Sequence, residues 1–148
     1  MPLDQRIVLL AGLVLLASFV GVLLVAKSGL ARKVSNGEQV DLSNLRATKN
    51  GKAVVKLGEK LTLLQFSSDF CSSCKQTTIL LENIEKAHEG LLHIDLDLAE
   101  RLDLAKTFNI LTTPTTLILD SKGSVVSRIV GAPKLATIEA EIERLVQK

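Results

Sequence analysis

The sequence has two cysteines, Cys71 and Cys74, which are separated by Ser72 and Ser73. The pair falls where a short apolar run ends and a helical pattern begins, so Cys71 is expected at the start of a helix. The first turn of a helix carries unpaired N–H groups and the positive end of the helix dipole, and both stabilise a thiolate. Cys74, one turn further on the same helix face, can close a disulfide with Cys71. The arrangement predicts a redox-active dithiol.

Three other interpretations of the cysteine pair are less favourable. A structural disulfide would close a loop of a few residues and would restrict the unfolded chain little. A structural zinc site takes four ligands, so two histidines, His88 and His93, would have to complete it. Two unrelated core cysteines are not expected at this spacing between a strand and a helix.

A protein that carries copper or zinc on the same two cysteines is the alternative function. Thiolates are soft ligands that suit Cu(I). A third ligand would be expected close to the motif, but the polar residues there are Asp69, Gln76 and Thr77, and the one methionine is Met1. Dithiol exchange needs no metal or organic cofactor, and the sequence favours it.

The chain around the motif is expected to alternate between strands and helices. Strands are predicted at 61–66, 91–96, 115–119 and 124–130, and helices at 72–88, 98–107 and 133–147. A further edge strand is indicated at Val54, Val55 and Leu57, after the turn signal Asn50-Gly51. This order predicts an α/β fold with a central sheet flanked by helices.

Spacing within these elements predicts which side chains face the core. The predicted buried positions are Ile79, Leu80, Ile84 and Ala87 in the first helix, Leu98, Leu102 and Ala105 in the second, and Ala136, Ile138, Ile142 and Leu145 in the third. Asp95 and Asp97 are expected to end their strand and to cap the helix that follows.

Twenty residues without a charge run from Ile7 to Ala26, between Arg6 and Lys27. A helix of that length spans about 30 Å, the thickness of a bilayer's hydrocarbon core. Residues 1–26 are therefore predicted to be an uncleaved single-pass anchor, with a cleaved signal peptide and a buried helix as alternatives. Residues 27–36 are predicted to be a juxtamembrane tether, and residues 37–148 the folded domain.

Composition excludes several classes of protein. The hydrophobic fraction of 47% excludes a disordered chain, and two cysteines exclude a disulfide-rich scaffold. With four Phe, no Trp and no Tyr, the chain has too few aromatic residues to stack on nucleic-acid bases. Without residues 1–33 the chain has 14 basic and 15 acidic residues, so its soluble part has no basic surplus for nucleic acid.

The charges beside the apolar run bear on which side of the membrane the domain faces. Three basic residues, Lys27, Arg32 and Lys33, follow the run, and Arg6 precedes it. The positive-inside rule therefore favours the cytoplasmic face for the domain. The extracytoplasmic face is the alternative, because disulfides persist there.

Four segments resemble the thioredoxin superfamily in the right order over about residues 60–147, namely LLQFSSDFCSSCK, HIDLD, LAKTFNILTTPTTLILDSKG and IVGAPK. The FSSxFCxxC and LxTPT patterns within them are most similar to those of small membrane-anchored thioredoxin-like proteins of actinobacteria. The resemblance implies a thioredoxin-like fold with a central mixed sheet between helices. The predicted N-terminal transmembrane helix precedes this domain in the chain.

The resemblance also implies roles for individual residues. Cys71 would be the exposed nucleophile and Cys74 the resolving thiol. Pro114 would be a cis-proline that faces the disulfide, although from spacing alone it is an ordinary loop proline. Thr113 would offer backbone hydrogen bonds to a bound peptide, and Gly131 would lie beside the substrate groove.

Several positions depart from the family pattern. Gln65 stands where reductases of the family commonly have a buried Asp, and His93 stands in place of its partner lysine. Phe70 replaces the tryptophan before the first cysteine, and Ser72-Ser73 replaces Gly-Pro. Ile79 replaces a proline that kinks the helix, so this helix is expected to run straight. Gln65 and His93 are predicted to modulate the dithiol, and Phe70 to contact substrate.

The predicted function is thiol–disulfide exchange by a membrane-anchored oxidoreductase, in the direction of a reductase. The expected partners are protein disulfide substrates and an upstream thiol reductant. That reductant would be the general thioredoxin-reducing system on the cytoplasmic face, or an integral-membrane electron donor on the outside.

Overall fold

A computed structural model describes residues 3–26, 28–34, 38–99 and 101–147. Within these ranges the helices are α1 Leu3–Ala26, α2 Leu42–Leu45, α3 Ser72–Ala87, α4 Leu102–Thr107 and α5 Leu135–Val146. The strands are β1 Ala31–Lys33, β2 Thr48–Lys49, β3 Lys52–Ala53, β4 Leu61–Ser67, β5 Leu91–Asp97, β6 Thr115–Asp120 and β7 Val125–Val130.

Five strands form one mixed sheet in the order β1-β7-β6-β4-β5. β4 and β5 are parallel, and the other neighbours are antiparallel. All residues of the interior strand β4 are buried, which is typical of a strand covered on both faces. The predicted α/β fold with a central mixed sheet flanked by helices is confirmed.

The two faces of β4 pack into different halves of the core, because successive side chains of a strand point to opposite faces. Leu63 contributes to the cluster that contains Leu81 of α3 and Ile138 of α5. Leu64 contributes to the cluster that contains Leu104 of α4 and Leu45 of α2. The helix that begins after Cys71 is thus held against one face of the sheet by apolar packing.

The structure corrects the predicted buried face of α3. The helix is continuous over 16 residues, and its buried residues are Cys74, Thr77, Leu81 and Ile84. Ile79 is 60% exposed, and Ala87 is exposed too. The polar Thr77 occupies a buried position, which moves the buried stripe away from the one that apolar residues alone indicate.

Smaller corrections concern α4, α5 and the first hairpin. α4 begins at Leu102, which is exposed, and its buried residue is Leu104. In α5 the predicted Ala136 is exposed. The first hairpin does turn at Asn50-Gly51, but its second strand is β3 and ends before the predicted Val54.

The N-terminal helix and the segment after it were predicted as an anchor and a tether. Gln5–Leu24 is long and apolar enough to cross a membrane and is not buried against the domain, which suits either an anchor or a signal sequence. The tether prediction is wrong at β1, where Ala31 pairs with Ile129 and Lys33 with Ser127 at the edge of the sheet. Of the predicted tether 27–36, residues 27, 35 and 36 lie outside the described residues.

Candidate active site

The two cysteines form a disulfide at the N-terminus of α3, with their Cα atoms 5.2 Å apart. Cys71 is the N-cap residue, and its sulfur accepts a hydrogen bond of 3.1 Å from the Cys74 backbone N–H. The Ser73 hydroxyl lies 3.3 Å from the same sulfur. A thiolate at Cys71 would therefore meet the backbone donor and the helix dipole that the sequence predicts for it.

The two sulfurs differ in access to solvent. Cys74 is only 2% exposed, whereas Cys71 is half-buried. Phe70, beside Cys71, is fully exposed, and so is most of Leu111, three residues before Pro114. Exposed apolar side chains beside a reactive group are typical of a binding surface. Leu111 was not among the predicted site residues, although its place in the loop before the proline is a signal that could have found it.

The loop before β6 completes the exposed side of the site. The Thr113–Pro114 peptide bond is cis. Ser68, in the loop that leads to Cys71, has its hydroxyl 3.5 Å from the Thr113 hydroxyl. Gly131 donates a backbone hydrogen bond of 2.8 Å to the Pro114 carbonyl oxygen. The structure thus brings the predicted loop residues together next to the loop that leads to Cys71, while their roles in binding a peptide stay predictions.

Gln65 and His93 lie behind the buried cysteine. The Gln65 amide nitrogen donates to the Cys74 carbonyl oxygen at 3.1 Å and to the Thr78 hydroxyl at 3.0 Å. The Gln65 carbonyl oxygen lies 3.2 Å from Nε2 of His93. Because that oxygen can only accept, the hydrogen-bond pattern assigns the imidazole proton to Nε2. Both predicted residues therefore contact the peptide unit of Cys74, directly or through one partner.

Asp95 ends this chain of hydrogen bonds, and its expected role as a strand end and helix cap is wrong. Its carboxylate accepts from the Thr78 hydroxyl at 2.8 Å and from the Ser67 hydroxyl at 2.5 Å. Asp95 is the register partner of Gln65 and lies two residues after His93, so all three side chains share one face of the sheet. Asp97 does end β5, as predicted, but it does not cap α4: it accepts from the Ala99 N–H at 2.8 Å, and the N-cap residue of α4 is Arg101.

The surroundings of His93 set its protonation. Burial lowers the pKa of the imidazole, and Lys49 lowers it further, while the carboxylates of Asp95, Glu85 and Glu82 raise it. Burial is the largest of these effects, so His93 is neutral at pH 7. Lys49 pairs with Glu85 and also donates to the His93 carbonyl oxygen at 2.8 Å, which closes the outer side of this cluster.

An open cavity of about 510 Å³ adjoins the buried cysteine. Its lining includes Cys74, Thr78 and Asp95, together with the exposed Ile79 at its rim. Water in this cavity would reach Asp95 and the buried side of the disulfide. The exposed Ile79 is thus part of a wall of the site rather than of the core.

The alternative use of the cysteines as metal ligands needs further donors. Within the described ranges, no group of three or more His, Cys, Asp or Glu side chains is arranged to hold a metal ion. The donor set at the motif is therefore the two thiols, which suits dithiol exchange better than a tetrahedral site.

The chain is similar to known thioredoxins. The family model described as Thioredoxin matches residues 39–144. Thioredoxin of Echinococcus granulosus is 31% identical over 96 residues, covering 65% of this chain and 83% of that protein. Thioredoxin H2 of Arabidopsis thaliana is 30% identical over 94 residues, covering 64% of this chain and 66% of that protein.

Solved structures agree in fold. The thioredoxin NaTrxh of Nicotiana alata superposes with a TM-score of 0.53 at 26% identity, covering 60% of this chain and 75% of the other. The oxidised mitochondrial thioredoxin 3 of Saccharomyces cerevisiae gives a TM-score of 0.52 at 23% identity, covering 59% and 80%. With a family match over most of its length and the cysteine pair at the start of α3, the chain belongs to the thioredoxin family.

Proposed function

We propose that the chain is a membrane-anchored thiol–disulfide oxidoreductase that reduces disulfides in protein substrates. The observation that carries the proposal is the unequal pair of sulfurs at the start of α3, with Cys71 reachable and Cys74 buried. An exposed thiolate can attack a substrate, and a buried partner is protected from doing so. The cis Thr113–Pro114 bond and the exposed Phe70 beside Cys71 support a peptide groove at this place.

The reaction is two successive exchanges. The Cys71 thiolate attacks one sulfur of the substrate disulfide, so that a mixed disulfide forms and the other substrate sulfur leaves as a thiolate. The Cys74 thiol loses its proton and attacks the Cys71 sulfur, which releases the second substrate thiolate. The substrate gains two electrons and the protein ends with the Cys71–Cys74 disulfide, the state that the structure contains. A thiol reductant must return the two electrons before the next cycle.

The proposed anchor and sidedness follow from the N-terminal region. The span Gln5–Leu24 supports an uncleaved single-pass anchor, and the basic residues after it support a cytoplasmic domain reduced by the general thioredoxin-reducing system. Labelling intact, reduced cells with a membrane-impermeant maleimide tests the side, because Cys71 reacts before lysis only if the domain is outside. Recovery of a chain that starts after Ala26 would instead establish a cleaved signal sequence.

The activity is tested by reduction of insulin disulfides with the full chain in detergent micelles. Dithiothreitol supplies electrons, and the Cys71→Ser chain is the control. We expect the unmodified chain to accelerate reduction well above that control. A reduction potential nearer to about −270 mV than to about −120 mV would support the reductase direction. Failure to accelerate insulin reduction, combined with tight Cu(I) binding in a titration, would favour the metal-carrier alternative.

A further inference from the structure

The point at which the chain enters the domain lies at the same end of the sheet as the cysteines. β4 ends at Ser67, next to the motif, and Phe66 pairs with Thr115 at the start of β6. Thr115 pairs with Val130 at the end of β7, and Ile129 pairs with Ala31 at the start of β1. The first residue of β1 is therefore at the active-site end.

The segment before β1 is fixed against the loop that borders the groove. The Gly29 N–H donates to the Val130 carbonyl oxygen at 2.6 Å. A Cβ on Gly29, whose φ is +74°, would overlap the Ala132 carbonyl oxygen, and a Cβ on Gly131 would lie 3.2 Å from the Ser28 side chain. Gly131 in turn donates to the Pro114 carbonyl oxygen. The chain thus reaches the groove loop before it enters the sheet.

Because Ser28 and Gly29 contact the folded domain, almost no tether remains between α1 and that domain. α1 ends at Ala26, so a single residue separates it from Ser28, and two chain steps span at most about 7 Å. The headgroup layer on one side of a bilayer is about 6 Å thick, so Ser28 lies close to its outer boundary when α1 spans the membrane. Arg32 and Lys33, exposed on the same edge strand, suit the anionic lipids found at such a surface.

The sheet then fixes how far the cysteines are from the lipid. Three strand spacings separate β1 from β4, which is about 14 Å. The start of β1 and the end of β4 lie at the same end of the sheet, so Cys71 stays close to the point where the chain enters the domain. Tilting the domain about that point therefore keeps Cys71 within about 20 Å of the membrane surface. At that distance the lipid surface sterically restricts the approach of a large folded soluble protein to Cys71. A disulfide in the juxtamembrane segment of another membrane protein reaches Cys71 by lateral diffusion.

We infer that the substrates are disulfides next to the transmembrane segments of other membrane proteins, and that the short junction at Ser28–Gly29 selects them. The inference rests on the proposed function and on α1 as an anchor. It does not depend on which side of the membrane the domain faces.

The test uses the full chain in liposomes with either of two single-pass peptides. The near peptide has its disulfide directly after the membrane span, and the far peptide has it about 40 Å away, beyond a helical spacer of about 27 residues. The chain is reduced beforehand and freed of reductant, so each molecule can reduce one disulfide. Random insertion lowers both rates equally and leaves their ratio unchanged.

We expect the near peptide to be reduced roughly tenfold faster, because its effective concentration at Cys71 is higher. A flexible insert of 20 Gly and Ser residues after Ala26 has an r.m.s. length of about 25 Å and should bring the two rates within about twofold. Equal rates with the unmodified chain, or a preference that survives the insert, would overturn the inference.

A single substitution gives a second test with a matched control. Gly29→Ala should reduce the preference for the near peptide, because its methyl group displaces the junction from Ala132. Gly51→Ala is the control, since Gly51 has the same φ of +74° but open space around it. An equal preference in both variants contradicts the proposed role of the junction. Reduction of neither peptide by a chain that still reduces insulin in detergent overturns this inference alone, while loss of insulin reduction sinks the proposed function itself.

Discussion

The Cys71 sulfur lies in an outer region and the Cys74 sulfur lies in an inner region, and the two regions differ in their side chains and in their burial. Phe70, beside Cys71, is fully exposed, and Leu111 is mostly exposed in the loop before the cis Thr113–Pro114 bond, where Pro114 itself is buried. Behind Cys74 is a buried polar cluster whose hydrogen bonds run from His93 through Gln65 and Thr78 to Asp95. In the proposed function the outer region receives a peptide, and the inner region holds the peptide unit of Cys74 by a hydrogen bond from Gln65.

The inner region contains a carboxylate, but this carboxylate is not directly behind Cys74. The residue directly behind Cys74 is a neutral amide, Gln65, and it donates to the Cys74 backbone rather than accepting from the thiol. The carboxylate is one strand away, at Asp95, where the Thr78 and Ser67 hydroxyls donate to it. Since Asp95 and Cys74 line one open cavity, a proton from Cys74 has a route to the carboxylate through water.

Removing each sulfur in turn tests the comparison most strongly. Cys74→Ser should accumulate mixed disulfides with substrate, because the exposed Cys71 still attacks and nothing resolves the product. Cys71→Ser should trap none, since the remaining cysteine, Cys74, is only 2% exposed. Non-reducing gels of the two variants after incubation with a disulfide substrate provide the measurement. Equal trapping by both variants would show that the two regions are not functionally distinct.

Placing a carboxylate directly behind Cys74 is the next largest change. Gln65→Glu keeps the side-chain shape but removes the donor to the Cys74 carbonyl oxygen and buries a charge near Asp95. We expect a loss of about 1–3 kcal/mol in the free energy of unfolding at pH 7. Burial raises the pKa of such a carboxyl in the folded state, so the loss should shrink as the pH falls and the group becomes neutral.

Denaturant unfolding at several pH values measures this effect. Gln76→Glu is the matched control, because Gln76 is exposed on the same helix. A loss of stability that is equal in both variants, or unchanged between pH 7 and pH 4, would contradict a neutral polar environment behind Cys74.

The protonation of His93 should make the stability of the chain depend on pH, an effect that we rank between those of Gln65→Glu and Thr78→Val. Burial lowers its pKa in the folded chain from the value of 6.5, so the unfolded chain binds the extra proton first as the pH falls. The contribution to stability is therefore complete above pH 6.5 and is lost below it, by at most about 1.4 kcal/mol per pH unit. Asp95, Glu85 and Glu82 oppose the shift and Lys49 adds to it.

Unfolding curves between pH 7.5 and about pH 5 should show this slope in the unmodified chain and a smaller slope in His93→Gln. His88→Gln is the control, because the His88 ring contacts the Ile84 carbonyl oxygen at the end of α3 and, among the contacts described, neither Gln65 nor Asp95. A slope that survives in His93→Gln would mean that other groups determine the acid sensitivity.

The two regions also differ in how far the sequence predicts them. The cysteines, the proline loop and Gly131 are short motifs, and the order of strands and helices follows from local apolar patterns, so these parts were predicted. The contact between Gln65 and His93 depends on strand pairing, yet both positions were singled out by their departure from the family pattern. What these residues do in catalysis stays a prediction.

The parts that were not predicted depend on long-range contacts. β1 has the sequence Ala31-Arg32-Lys33, which carries no strand pattern, and it is a strand because its backbone pairs with β7. Asp95 resembles a cap in sequence and becomes part of the inner region only through the register between β4 and β5. Such pairings join residues that are distant along the chain, and local spacing does not encode them.

Thr78 joins the two halves of the inner region, and its removal is the smallest change we predict. Thr78→Val keeps the shape but removes the hydroxyl that accepts from Gln65 and donates to Asp95 or to the Cys74 carbonyl oxygen, a cost of about 1 kcal/mol. We expect the step in which Cys74 resolves the mixed disulfide to slow by a few-fold, and the attack by Cys71 to keep its rate. Stopped-flow measurements with a self-quenched fluorescent peptide disulfide separate the two steps.

Thr77→Val is the control, because Thr77 is buried one residue earlier and bonds only to the Ser73 carbonyl oxygen among the contacts described. Equal effects of the two substitutions on the resolving step would mean that the link to Asp95 has no part in it.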